Sequence, residues 1–77
     1  MKIAVIGSGG WGTAIAILLS SRGHNVYLWS WRQEETDRLK KDRENKEFLP
    51  GVKFPDTIYC SHDMAECTDG AELIITA

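Results

Sequence analysis

The chain is 77 residues long, 43% hydrophobic and 26% charged, with nine Lys plus Arg against eleven Asp plus Glu and a net charge of −2. A single core this small rarely supplies more than about 3–5 kcal/mol, which excludes a complete enzyme with a buried two-substrate site and leaves a small binding module or a piece of something longer. No concentrated basic face exists to displace counterions from phosphates, so nucleic acid is excluded as a partner, and the longest apolar run, residues 14–19, falls far short of a membrane span.

Ile3, Ala4, Val5 and Ile6 form a short continuous apolar run ended by glycine, the pattern of a strand covered on both faces in a parallel sheet. From Trp11 the apolar positions Trp11, Ala14, Ile15, Leu18 and Leu19 follow helical spacing, which predicts a helix burying that stripe, closed by Gly23 in a left-handed conformation. Val26, Tyr27, Leu28 and Trp29 then read as a second strand, completing a right-handed βαβ unit of about thirty residues. Residues 33–46 are almost wholly polar, with Leu39 their only large aliphatic side chain. Their Glu, Lys and Arg content predicts a largely exposed, weakly docked helix with Glu34–Arg38 and Asp42–Lys46 pairs.

Pro50 and Gly51 are expected to make a turn, and Pro55 and Asp56 to close a short irregular segment. A third strand is predicted over residues 57–60, then a short helix over 63–67 capped by Ser61, and a fourth strand at Leu73, Ile74, Ile75 and Thr76. The fold class is thus α/β, a Rossmann-like unit with a parallel sheet.

Gly7, Gly9 and Gly12 form G-x-G-x-x-G, a pattern that is weak alone. Here it follows a buried strand, opens a helix and sits in a βαβ unit of the right length, which together read as a dinucleotide-binding turn. Gly7 permits the tight turn, Gly9 lets the backbone approach a pyrophosphate, and Gly12 lets the helix pack on the strand, while free N–H groups at the helix start receive the phosphates. Charge is distributed to suit, since residues 1–31 hold Lys2 and Arg22 and no acid, whereas residues 32–48 carry six charges of each sign.

The acid that commonly ends the second strand and holds the ribose hydroxyls is replaced by Ser30, with no acid until Glu34. Arg32 follows closely, and a guanidinium there can pair with a 2′-phosphate, so the cofactor reading leans toward NADP while allowing NAD. Arg32 also reads as an ordinary solvated arginine. Trp29 is expected in the core. Trp31 is placed either to stack on an adenine or simply to pack, and Trp11 to anchor the helix or wall the pyrophosphate site. His24 and His62 lack partners in the sequence, and Cys60 and Cys67, seven apart, fit neither a redox nor a zinc spacing. They read as reduced, small apolar fillers, with no metal site.

The segments IAVIGSGGWGTAIA (3–16), VYLWSWR (26–32), ENKEFLPGVKFP (44–55) and ELIITA (72–77) together resemble the amino-terminal region of the bacterial-type NAD(P)-dependent glycerol-3-phosphate dehydrogenase family. The GWGTA and N-x-x-F/Y-L-P-G segments carry most of that resemblance. It implies a parent oxidoreductase interconverting dihydroxyacetone phosphate and sn-glycerol 3-phosphate for phospholipid synthesis in the cytoplasm. Its cofactor contacts would fall on Gly10, Trp11, Trp31, Arg32 and Phe48. Gly10 departs from a frequent Ser, Trp31 from His and Phe48 from Tyr.

By the same resemblance, residues 1–77 are the first portion of the NAD(P)-binding domain. The helical substrate domain and the lysines for substrate phosphate and proton transfer lie outside them, so no catalytic residue is expected here and the chain alone is expected to be inactive. The apolar strand at the end needs a cover, from the same polypeptide or a second copy, so a homodimer is among the assemblies this reading allows. Two other readings share the glycines: another 6-phosphogluconate-dehydrogenase-like reductase such as a ketopantoate reductase, and a non-catalytic nucleotide-sensing module.

Overall fold

A computed structural model describes residues 1–77. The elements run β1 (Lys2–Ile6), α1 (Gly10–Ser21), β2 (Asn25–Trp29), α2 (Gln33–Asp42), β3 (Glu44–Asn45), β4 (Leu49–Lys53), β5 (Ile58–Ser61), α3 (Met64–Thr68) and β6 (Leu73–Thr76). Four strands form one parallel sheet in the order β5-β2-β1-β6, with Ile3 opposite both Val26 and Leu73, and Val26 opposite Ile58. The chain therefore steps outward from β1 to β2 and β5, then returns to the other side of β1 with β6. This reversal of strand order is the one a Rossmann-like sheet uses to open a crevice at its carboxyl edge.

Alternation along the strands divides the side chains between two faces. On one face Ile3, Val5, Val26, Leu28, Ile58 and Cys60 form the core with Ala16 of α1, Leu39 of α2 and Phe54. Full burial of an aliphatic side chain of this size contributes about 1.5–3 kcal/mol. On the other face Lys2 donates from Nζ to the carbonyls of Glu66 and Asp69, which ties α3 to β1, and its ammonium lies 4.2 Å from the Tyr27 ring centroid.

The buried line of α1 differs from the expected one. Gly12, Thr13, Ala16 and Ser20 face the sheet, while Ile15, Ile17 and Leu19 pack from the flanks and Trp11, Ala14 and Leu18 are exposed. Small side chains let the helix approach the strands closely. A Cβ on Gly12 would sit 2.1 Å from the Gly7 carbonyl oxygen. Trp29, expected in the core, is half-buried on the α3 face and donates from Nε1 to the His62 carbonyl at 3.0 Å.

The predicted helix over 33–46 ends at Asp42, because Arg43 adopts a left-handed conformation (φ 54°) and its N–H closes the helix on the Leu39 carbonyl. Of the two expected helical pairs, Asp42–Lys46 forms at 3.8 Å across the helix end, but Arg38 pairs with Glu47 rather than Glu34. Thr36 and Leu39 dock the otherwise exposed helix. The chain then makes an antiparallel pair, β3 with β4, reversing over residues 46–48 rather than at Pro50 and Gly51. Gly51 lies instead within β4 at φ 86°. Its N–H donates to Glu44 Oε2 at 2.9 Å, and Lys53 Nζ stands 3.1 Å from Glu44 Oε1.

α3 begins at Met64 with Asp63, not Ser61, as its cap: Asp63 Oδ1 accepts from the N–H groups of Ala65 and Glu66, while Ser61 Oγ accepts from the Asp63 N–H.

Two measurements follow. Gly12→Ala in the intact protein must push α1 off the Gly7 carbonyl, with an expected loss of about 1–3 kcal/mol read as a lower thermal midpoint. For Glu44, the Gly51 N–H first, and Lys53 second, hold the carboxyl below its ordinary value of 4.5. That stabilisation is complete above the unfolded-state value and is lost as pH falls through the lower folded-state value. Denaturant titrations across this acid window will show a flatter pH dependence for Glu44→Gln than for the unsubstituted protein.

Candidate functional site

β1 and β2 deliver their carboxyl ends to the same edge of the sheet, and the Gly7 N–H continues their ladder by donating to the Trp29 carbonyl at 3.1 Å. Above this edge lies a groove of about 360 Å³ lined by residues of three segments: Gly7, Ser8 and Gly9; Trp31, Arg32, Glu35 and Arg38; Glu47 and Phe48. A larger groove of about 520 Å³ runs beside β5 between Lys40, Arg43, Tyr59 and Glu66, but it contains no residue of the glycine turn.

The three motif glycines have separable physical reasons. Gly7 sits at φ 125°, and a Cβ there would lie 2.7 Å from the Ala77 carbonyl oxygen. Gly12 is required by the Gly7 carbonyl. At Gly9 an added Cβ meets no protein atom within 4 Å, so nothing in the fold itself requires glycine, and the position is an open cradle. Gly9 is also the N-cap of α1, which has neither a side-chain cap nor an acid in its first turn. The positive end of this helix is left without a protein partner.

Five of the expected site residues, Gly7, Gly9, Trp31, Arg32 and Phe48, line one groove. Gly10 lies just behind, where its Cβ would come 3.4 Å from the Phe48 carbonyl, and Gly12 is buried beneath. Trp11, 72% exposed, neither anchors α1 to the sheet nor lines the groove. The Arg32 guanidinium stands 4.5 Å from the Trp31 ring centroid, and Trp31 remains 63% exposed. A stacked Arg and Trp at the mouth of a groove suit a planar, anionic ligand.

Sequence reasoning missed three groups. Asn45 is buried and donates from Nδ2 to the Ser8 carbonyl at 2.6 Å and to Thr13 Oγ1 at 2.9 Å, while its Oδ1 accepts from the Phe48 N–H at 3.2 Å. Ser8 donates its hydroxyl to Glu35 Oε1 at 2.5 Å. Arg38 and Glu47 pair at 3.9 Å along the groove. A spacing signal existed for α2, because Arg32, Glu35 and Arg38 are three apart and therefore share a helix face.

Elsewhere, burial pushes the Cys60 thiol up to about 11 and raises that of Cys67, so both stay protonated at neutral pH and pack as fillers. His62 Nδ1 lies 3.0 Å from the Ser30 carbonyl, and His24 Nδ1 is buried without a partner; neither lines the groove. No three His, Cys, Asp or Glu side chains gather as a metal site.

A family model described as NAD-dependent glycerol-3-phosphate dehydrogenase N-terminus matches residues 2–77. The chain is 47% identical over its full length to the NAD(P)+ glycerol-3-phosphate dehydrogenase of Thermus thermophilus, covering 24% of that protein. Its identity to that of Syntrophomonas wolfei is 46%, over 99% of the chain and 22% of the relative. It thus spans about a quarter of the length of these curated relatives. Among solved structures, the glycerol-3-phosphate dehydrogenase of Coxiella burnetii superposes with a TM-score of 0.92 at 34% identity, over 96% of this chain and 23% of that one. The Plasmodium falciparum glycerol-3-phosphate dehydrogenase gives a TM-score of 0.86 at 28% identity, over 99% and 24%. A Rossmann-like sheet, a glycine turn opening on a groove, and a family match from Lys2 to the last residue lead to one assignment: the chain belongs to the family of the NAD-dependent glycerol-3-phosphate dehydrogenase N-terminus.

Proposed function

We propose that this chain is the NAD(P)-binding portion of an oxidoreductase that interconverts dihydroxyacetone phosphate and sn-glycerol 3-phosphate, the latter feeding phospholipid synthesis. The observation that carries the reading is the uncapped start of α1 opening onto the Gly9 cradle. A pyrophosphate supplies the negative charge that this helix end lacks, and the missing Cβ at Gly9 gives it room.

On this reading the N–H groups of Gly9, Gly10 and Trp11 hold the pyrophosphate, Gly7 and Gly12 shape the turn, Trp31 and Arg32 face the adenosine half, and the exposed ring of Phe48 walls the groove. The nicotinamide, when bound, donates or accepts the hydride. The chain's own work is to bind and orient the dinucleotide at the carboxyl edge of the sheet. Proton transfer at the carbinol oxygen needs a group within hydrogen-bond reach. That group, the substrate-phosphate site and the helical substrate domain belong, in this proposal, to parts of the protein beyond residues 1–77. The buried, reduced Cys60 and Cys67 support a cytoplasmic setting, and no helix is long and apolar enough to cross a membrane.

Calorimetry on the intact protein tests the site. Gly9→Val fills the cradle and is expected to weaken NADH and NADPH alike by tenfold or more; an unchanged dissociation constant removes the glycine turn from the site. Arg32→Ala is expected to weaken NADPH by about ten- to a hundredfold, the range of a hydrogen bond to a charged group, and NADH far less. Equal losses would assign Arg32 to the solvated surface instead.

A further inference from the structure

The acid that usually reads the ribose at the end of the second strand is absent, and Ser30 cannot replace it. Ser30 is fully buried, its N–H donates to the Ser61 carbonyl, its own carbonyl meets His62, and its hydroxyl has no partner. One helical turn beyond Arg32, however, Glu35 brings a carboxylate into the same groove.

Four charged side chains line that groove: Arg32, Glu35, Arg38 and Glu47. Arg38 and Glu47 stand 3.9 Å apart as an exposed pair of opposite charges. Neither Arg32 nor Glu35 has an oppositely charged partner within 4.0 Å. Two uncommitted charges of opposite sign therefore remain. Each is held in place by a neutral group, Arg32 by the Trp31 ring and Glu35 by the Ser8 hydroxyl on its Oε1. Glu35 Oε2 accepts no hydrogen bond from the protein.

We propose that Glu35 is a specificity-determining residue that opposes Arg32 at the 2′ position of the adenosine ribose. The proposal rests on the dinucleotide reading of the groove. A free 2′-hydroxyl is a donor, and a carboxylate oxygen without a partner accepts from it. A 2′-phosphate presents only acceptors and negative charge, so Glu35 repels it while Arg32 attracts it. The lean toward NADPH that Arg32 alone implies is thereby offset, and the groove is tuned to admit both cofactors. The tie to Ser8 gives the carboxylate a fixed place beside the glycine turn, where a flexible surface glutamate would swing out to solvent.

The test uses the intact protein and the dissociation constants of NADH and NADPH. Glu35→Gln keeps an oxygen that can accept from Ser8 but removes the charge. NADPH is expected to bind about tenfold tighter relative to NADH, the effect of removing one like charge near the phosphate in a partly solvated groove. Adding Arg32→Ala to Glu35→Gln is expected to bring the ratio back down, and the rise in Glu35→Gln itself, with the thermal midpoint unchanged, is the readout that a merely structural role for Glu35 would not produce. An unchanged NADPH-to-NADH ratio in Glu35→Gln overturns the proposal, as does a parallel loss of both cofactors with a lowered thermal midpoint. Failure of the unsubstituted protein to bind either dinucleotide is a separate result, which overturns the reading of the groove and this proposal with it.

Discussion

The side-chain amide of Asn45 joins the parts of the molecule that the groove depends on. It lies on β3, is only 3% exposed, and uses its donors on the Ser8 carbonyl of the glycine turn and on Thr13 in α1, and its acceptor on the Phe48 N–H at the hairpin tip. A buried amide left unsatisfied costs about 1–3 kcal/mol, so each bond it makes also selects the one arrangement of the surrounding segments that satisfies it. Thr13 Oγ1 donates to the same Ser8 carbonyl, and the Ser8 hydroxyl turns to Glu35 on α2. Turn, helix, hairpin and second helix thus converge on one residue of the glycine loop, and the groove is the space they leave.

The motif glycines differ because only some of them are crowded by the fold. At Gly7 and Gly12 the neighbouring backbone leaves no room for a methyl group, and those contacts lie between strand, turn and helix. Gly9 is uncrowded by protein, so the fold itself does not demand a glycine there. The same close approach explains the line Gly12, Thr13, Ala16 and Ser20 on α1, whose small side chains bring the helix axis near the sheet and the helix start near the carboxyl ends of β1 and β2.

The strands were legible because a parallel strand writes itself as a short apolar run, as at residues 3–6, 26–29 and 73–75, although β6 itself stays largely exposed. The glycine turn was legible because its order, strand then turn then helix, is local. The burial of α1 was not, since Trp11, Ala14 and Leu18 satisfy helical spacing, yet the sheet selects the face of Gly12, Thr13, Ala16 and Ser20, which carries no bulky side chain. The hairpin was hidden for another reason. Residues 43–47 suit a helix locally, and what overrides that propensity is long-range in sequence: Glu44 held by Gly51 and Lys53, and Asn45 held by Ser8 and Thr13. At the site, the glycines, Trp31, Arg32 and Phe48 could be picked out by motif and resemblance. Glu35 carried only the three-residue spacing from Arg32 and Arg38, and its contact with Ser8 appears only when α2 is laid against the turn.

The three helix starts differ in how their positive ends are met. α3 is capped by Asp63, whose carboxylate takes two first-turn N–H groups, and α2 carries Glu34 and Glu35 in its first turn. Both positive ends are already answered by the chain's own acids. α1 alone opens with glycines, no side-chain cap and no acid. An acidic residue there would stabilise the isolated helix by about 0.3–1 kcal/mol, yet it would occupy the charge complement that a phosphate needs. The chain forgoes that stabilisation at the helix whose start faces the groove and takes it at the other two. The same segment of α2 that neutralises its own helix end also brings Glu35 to Ser8, so one acid serves the dipole of α2, the position of the glycine turn and the charge balance of the groove.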